Sequence, residues 1–142
     1  MLLKGKSVVI GVCGGIAAYK AVDLASRLKK LGAEIDVIMT QNAQKFVTEL
    51  TFRSITHRPV ITDMFEKPAQ WDVRHISLAK KADLLVIAPA TANIIGKIAS
   101  GIADDMLSTT VMATKAPVLI VPAMNQNMYE NPIVQQNIEK LK

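Results

Sequence analysis

Four short apolar runs recur along the chain, each followed by small or hydroxyl residues. Ser7 to Val12 (SVVIGV) is nearly continuous in its apolar character, the pattern of a strand in a parallel sheet covered on both faces. Gly14-Gly15 interrupts it. From Ile16 to Leu31 apolar residues recur at Ala17, Ala21, Leu24, Ala25, Leu28 and Leu31, with Lys20, Asp23, Arg27 and Lys30 elsewhere. This spacing predicts a helix that Gly32 is placed to end. Glu34 to Met39 (EIDVIM) reads as the second strand, and Thr40-Gln41-Asn42 is placed to cap a helix covering part of Ala43 to Ile55. The stretch His57 to Val73 mixes two prolines, a Trp and charge, and predicts only a short strand near Pro59 to Thr62. Leu84 to Ala88 (LLVIA) and Val118 to Val121 (VLIV) are two further buried-type strands. Between them an apolar helical stretch runs from about Ala92 to Ala113 with a break near Gly101, and a last helix begins near Asn131-Pro132.

Alternation of short apolar strands with amphipathic helices predicts an α/β, Rossmann-like three-layer fold in which an open parallel sheet is flanked by helices. Residues 1–142 are expected to form a single domain, since half of the positions are hydrophobic and no linker, repeat or low-complexity tract is visible. Sheets of this kind bind ligands beyond the carboxyl ends of their strands. The segments placed there are Cys13-Gly14-Gly15-Ile16, Thr40-Gln41-Asn42, Pro89-Ala90-Thr91-Ala92-Asn93 and Pro122-Ala123-Met124-Asn125.

Charge and composition narrow the picture modestly. The formal charge of +5 suits an anionic substrate or plain solubility. The basic residues are scattered or paired (Lys29-Lys30, Lys80-Lys81) and aromatics make up 4%, so neither a basic stripe nor a stacking platform for nucleic acid is present in the sequence. The single Cys13, the lack of an apolar run of roughly 20 residues and the lack of a signal-peptide cleavage pattern make the cytoplasm, not a membrane, the expected location.

Small and hydroxyl residues at strand ends let backbone N–H groups approach a ligand, and a helix N-terminus offers its dipole to a phosphate. Gly14-Gly15 fits equally an ordinary tight turn and a phosphate cradle. The spacing is not G-x-G-x-x-G, and the second strand ends in Thr40 rather than the acid that would grip an adenosine ribose. A mononucleotide is therefore favoured over NAD. His57, beside Arg58-Pro59, reads as a solvated residue. His75 opens the stretch leading into the strand at Leu84, and its position alone leaves catalytic and structural roles equally open. Asp104-Asp105 reads as a helix N-cap rather than a metal pair, no His or second carboxylate being near. Cys13 reads as an inert packed thiol.

Together these segments resemble the flavin-containing cysteine decarboxylases. The matching pieces are Gly14-Gly15-Ile16-Ala17-Ala18-Tyr19-Lys20, His75-Ile76-Ser77-Leu78 leading to Ala82-Asp83, Ala88-Pro89-Ala90-Thr91-Ala92-Asn93, Ala103-Asp104-Asp105-Met106-Leu107, and Pro122-Ala123-Met124-Asn125 with Met128. The most specific is Pro122 to Tyr129, which looks like the family's PxMNxxMW signature with Tyr129 in place of the usual Trp. The resemblance implies FMN held by Gly14, Gly15, Ile16, Thr40, Thr91, Ala92, Asn93 and Ala123, with His75 and Asn125 as the catalytic pair and Asn125 and Met128 against the substrate. It implies decarboxylation of 4′-phosphopantothenoylcysteine to 4′-phosphopantetheine in coenzyme A biosynthesis, through oxidation of the thiol to a thioaldehyde. Asn125 would hold the substrate carboxylate through its amide N–H, and His75 would orient or deprotonate the cysteinyl end.

Family members form homotrimers, or homododecamers of four trimers, and Ile94 to Ile102 is a segment that could supply such a surface or could be core. The family's chain usually continues through a flap with a proton-donor cysteine, and in many bacteria through a CTP-dependent synthetase domain. Both are expected to lie outside residues 1–142. Two alternatives share the scaffold: a flavin prenyltransferase, which has part of the Pro-Ala-Met stretch, and a non-catalytic regulatory subunit. The His75 segment and Asn125 favour the decarboxylase over both.

Overall fold

The computed structural model describes residues 1–65 and 74–142, with the backbone alone for Arg74 and His75. The central strand, β1 (Ser7–Val12), pairs in parallel with β2 (Glu34–Met39) on one side and with β3 (Leu84–Ala90) on the other. β4 (Val118–Pro122) adds in parallel to β3, giving the sheet order β2-β1-β3-β4. All six residues of β1 are buried, as the unbroken apolar run requires.

Alternate residues of β1 feed two cores. Val8, Ile10 and Val12 pack with Ala18, Ala21 and Ala25 of α1 (Ala18–Lys30) and Phe52 of α2 (Glu49–Thr56). On the opposite face Val9 joins Ile87, Leu78 of α3 (Arg74–Lys81), Ile94 and Ile95 of α4 (Ala92–Ser100), and Met106 and Leu107 of α5 (Met106–Ala113). Helices on both faces of a parallel sheet make the expected three-layer α/β fold. Gly11 fixes how closely α5 approaches, because a Cβ there would overlap the Leu107 side chain. Two short helices, α6 (Gln126–Glu130) and α7 (Pro132–Leu141), follow β4, and α7 lies against α4.

The elements match the sequence pattern with instructive departures. Gly32 follows α1 with φ of 96°, a conformation open to glycine, and ends the helix as expected. The helix expected within Ala43 to Ile55 splits into a 3-10 turn at Ala43–Lys45 and α2, because Thr48 is extended and starts a new helix, its hydroxyl 3.0 Å from that of Thr51. The strand expected near Pro59 to Thr62 shrinks to one parallel bridge, in which Ile61 N–H donates to Val37 O and Met39 N–H to Ile61 O. Helical structure between Ala92 and Ala113 breaks at Gly101, with φ of 71°. Ile94 and Ile95 are core, so the Ile94 to Ile102 segment does not present a continuous apolar surface; Ile102 alone of its isoleucines is exposed.

Polar groups set the orientation of the helices around the sheet. Asp36, buried on β2, is paired with Arg58 at 3.3 Å and with Lys81 of α3 at 3.1 Å, which ties the two segments flanking β2 to the strand. At the start of α5, Asp105 Oδ1 accepts from Ser108 N–H at 2.8 Å while Ser108 Oγ accepts from Asp105 N–H at 3.1 Å, a reciprocal capping box. Asp105 is thus the cap that the sequence indicated. Replacing Asp105 by Ala is expected to lower the unfolding free energy by about 1–2 kcal/mol. Urea denaturation checks this, with Asp105→Asn recovering most of the loss; an unchanged midpoint for the alanine variant would contradict it.

Candidate functional site

Parallel pairing brings the carboxyl ends of all four strands to one edge, where they open on a cleft of about 1280 Å³. This exceeds the roughly 300–1,000 Å³ usual for small-molecule sites. Its walls are Cys13 to Ala17 after β1, Met39 to Asn42 after β2, Thr91 to Ile94 after β3, and Ala123 to Asn125 with Met128 after β4.

Two adjacent glycines play different parts in it. A Cβ on Gly14 would lie 2.5 Å from Asn42 Cβ and 2.8 Å from its carbonyl carbon, so glycine is what lets the turns after β1 and β2 touch. A Cβ on Gly15 would meet nothing within 4 Å. Packing within the chain does not require glycine at that point, and the bare backbone leaves room for a ligand to approach. Two residues on, Ala17 is the N-cap of α1 and offers no side-chain cap, and the first turn of the helix has no acidic residue. The positive end of a 13-residue helix therefore carries neither a side-chain cap nor an acid of its own first turn, and Ala17 at its start lines the cleft. Thr40 Oγ1 accepts from Ala43 N–H at 3.2 Å, which leaves its hydroxyl proton for another acceptor. Backbone N–H donors at a helix start that has no acid in its first turn are the chemistry of a phosphate site.

Elsewhere the lining is largely apolar or neutral, with charge at Asp63, Lys97, Asp104 and Asp105. Ile16 is 83% exposed and Met128 49%, hydrophobic surface suited to a flat ring. Asn125 caps α6, its Oδ1 accepting from Asn127 N–H at 2.8 Å, so that its amide NH2 is turned to donate. Thr91 caps α4 by accepting from Ile94 N–H at 3.2 Å. At the base of the cleft, burial pushes the Cys13 thiol up to about 11, partly offset by donation from the Thr91 N–H and hydroxyl. The thiol is 1% exposed and stays protonated near neutrality, as expected of an inert packed residue. Lys97 Nζ sits 2.8 Å from Asp104 Oδ1; this contact holds the ammonium above the ordinary lysine range and the carboxyl below the ordinary carboxylate range.

The Flavoprotein family pattern matches residues 2–142. The chain belongs to the Flavoprotein family. It is 50% identical over 140 residues to the coenzyme A biosynthesis bifunctional protein CoaBC of Bacillus subtilis, covering 99% of this chain and 34% of that protein. With the CoaBC of Vibrio vulnificus it shares 49% identity over 139 residues, covering 98% of this chain and 35% of the other. The chain therefore spans about a third of the length of the curated relatives it matches. Among solved structures it resembles the FMN-dependent cysteine decarboxylase SpaF, with a TM-score of 0.91 and 35% identity over 98% of this chain and 80% of that one. It also resembles a PPC decarboxylase mutant complexed with pantothenoylaminoethenethiol, with a TM-score of 0.80 and 29% identity over 96% and 76% of the two chains.

In this Flavoprotein-family chain, Gly14, Gly15, Ile16, Thr40, Thr91, Ala92, Asn93, Ala123, Asn125 and Met128 all line the one cleft. The side chain of His75 lies outside the described residues; its backbone is the second residue of α3. His57 is exposed and closes α2 in a left-handed conformation, away from the cleft lining. The strand-end segment Thr40-Gln41-Asn42 lines the cleft as the sequence predicts, whereas Asp63 and Lys97 were not singled out as cleft residues. For Lys97 a signal existed: it follows Asn93 by four residues, so the two share a helix face. The close approach of Asn42 to Gly14 is visible only in the folded chain.

The glycine pair separates folding from binding. Gly14→Ala is expected to cost about 1–3 kcal/mol by crowding Asn42, whereas Gly15→Ala should leave the thermal midpoint unchanged, and equal losses in the two variants would contradict the geometry. The Cys13 thiol is expected to resist alkylation in the folded chain and to react once the chain is unfolded by denaturant. Because folding raises its pKa from 9.0 to about 11, the native state retains a proton that the unfolded state loses between those values. Its contribution to stability is complete below pH 9.0 and disappears as the pH rises to about 11. Cys13→Ala should remove that part of the alkaline decline in denaturation midpoint, and an identical decline in both proteins would contradict it.

Proposed function

We propose that this chain binds FMN in the strand-end cleft and carries out decarboxylation of 4′-phosphopantothenoylcysteine to 4′-phosphopantetheine in coenzyme A biosynthesis. The observation that carries this reading is the uncapped, acid-free start of α1 beside the bare backbone of Gly15, set in a cleft large enough for a mononucleotide. Close similarity to CoaBC proteins, and to FMN-dependent cysteine decarboxylases, supports the same cofactor and chemistry.

The residues present fit FMN. The N–H groups of Gly15 and Ile16 and the Thr40 hydroxyl would hold the phosphate, while Gly14 keeps the two turns together. Thr91, Ala92, Asn93 and Ala123 would border the ring. When bound, FMN supplies the two-electron acceptor that takes the substrate thiol to a thioaldehyde and returns the electrons after CO2 is lost. Asn125 donates its amide N–H to the substrate carboxylate, because its oxygen is already committed to capping α6. Met128 lies against the substrate, and His75 orients or deprotonates the cysteinyl end. Loss of CO2 is eased because the developing carbanion delocalises onto sulfur.

A homotrimer or homododecamer is the proposed assembly. Ile16 in the cleft lining and Tyr19 on α1, 83% and 62% exposed, offer apolar area to a neighbouring copy. Among the described residues no helix is long and apolar enough to cross a membrane, and a cytoplasmic location is proposed.

Mass spectrometry of the cofactor released from the purified protein is expected to give FMN; recovery of a dinucleotide would sink the reading. Asn125→Asp places a carboxylate opposite the substrate's own and should abolish decarboxylation in the active protein while flavin absorbance is retained. Near-normal turnover by that variant would remove Asn125 from its assigned place.

A further inference from the structure

Lys97 stands in the wall of the cleft, on α4, with 21% of its side chain exposed. Among the described residues that line the cleft it is the one cation; the anions there are Asp63, Asp104 and Asp105. Its ammonium is 2.8 Å from Asp104 and 3.9 Å from Asp105. The two acids are not equivalent partners. Asp105 caps α5 through Oδ1 and keeps its charge, with Oδ2 at the longer distance from Lys97, whereas Asp104 makes the direct contact and is 59% exposed. The resulting arrangement is one ammonium in the cavity wall, a helical turn beyond Asn93, with two carboxylates within 4 Å, of which Asp104 is the closer and the more exposed.

We infer that Lys97 tunes the bound flavin, its ammonium favouring the reduced form over the oxidised form, with Asp104 as the group that moderates it. This rests on the FMN reading above. Two-electron reduction places additional negative charge on the flavin ring unless two protons accompany the electrons. A nearby cation in a partly enclosed site lowers the energy of that charge. The consequence lies in the oxidative half of the reaction: withdrawal of two electrons from the substrate thiol becomes more favourable. A salt bridge serving only to fasten α4 to the start of α5 would act differently, since removing either partner would have the same effect.

The test is the midpoint potential of FMN bound to the chain, measured by anaerobic reductive titration against a reference dye, in wild type, Lys97→Met, Lys97→Arg and Asp104→Asn. Lys97→Met is expected to weaken binding of reduced relative to oxidised FMN by roughly tenfold, which for a two-electron couple is a potential lower by about 30 mV. Lys97→Arg keeps the charge and should restore the wild-type value. Asp104→Asn, which frees the ammonium from its partner, should move the potential upward. An unchanged potential in flavin-loaded Lys97→Met, or shifts of the same sign in Lys97→Met and Asp104→Asn, would overturn the inference while leaving FMN binding intact. If Lys97→Met loses its flavin, the sign of the Asp104→Asn shift decides. Failure of the wild-type chain to take up FMN at all would overturn the reading beneath it, and the inference with it.

Discussion

With β1 hydrogen-bonded in parallel on both edges, the chain must leave and re-enter the sheet in the same direction each time. Each strand therefore needs a crossover over one face or the other, and every strand ends on the same side. The register is close: Val12 stands opposite Met39, Thr40 N–H donates to Val12 O at 3.0 Å, and Cys13 N–H donates to Pro89 O at 3.3 Å. The turns after β1, β2 and β3 are consequently held within hydrogen-bonding reach of one another. The cleft is the space above that edge, and its position follows from strand pairing.

Close approach around β1 depends on small residues. Ala18, Ala21 and Ala25 let α1 settle on one face, and Gly11 admits Leu107 of α5 on the other. With α1 seated against the sheet, its N-terminus is brought directly beside the bare backbone of Gly15. The same steric economy that packs the core thus leaves an electropositive helix end facing an open cavity. An anion is the chemical complement of that arrangement, and the hydrophobic surface of Ile16 and Met128 nearby is the complement of a flat ring.

Strands and crossover helices were legible because burial on both faces writes an unbroken apolar run, and the helices write a periodic one. The four strand-end segments were legible as a site for the same reason: parallel topology assigns them to one edge before any side chain is placed. What depends on long-range contact was not. The split at Thr48 and the reduction of the Pro59 to Thr62 strand to a single bridge turn on local hydroxyl pairing and on what β2 leaves free at its outer edge. The exposed residues of Ile94 to Ile102 could not be told from core by hydrophobicity, since Ile94 and Ile95 face the sheet and Ile102 does not. Lys97 was overlooked because a lone lysine on a helix is usually solvated. Its place in the cleft is set by how α4 turns back at Gly101 to bring Asp104 and Asp105 alongside it.

The central claim is that the start of α1 is the phosphate site and the neighbouring strand ends hold the rest of a flavin mononucleotide. A crystal structure of the chain grown with FMN tests it most directly. The phosphate is expected within hydrogen-bonding distance of the Gly15 and Ile16 N–H groups and the Thr40 hydroxyl, with the ring bordered by Thr91 to Asn93 and Ala123. A phosphate located at another helix end, or density for FMN outside this cleft, would contradict it.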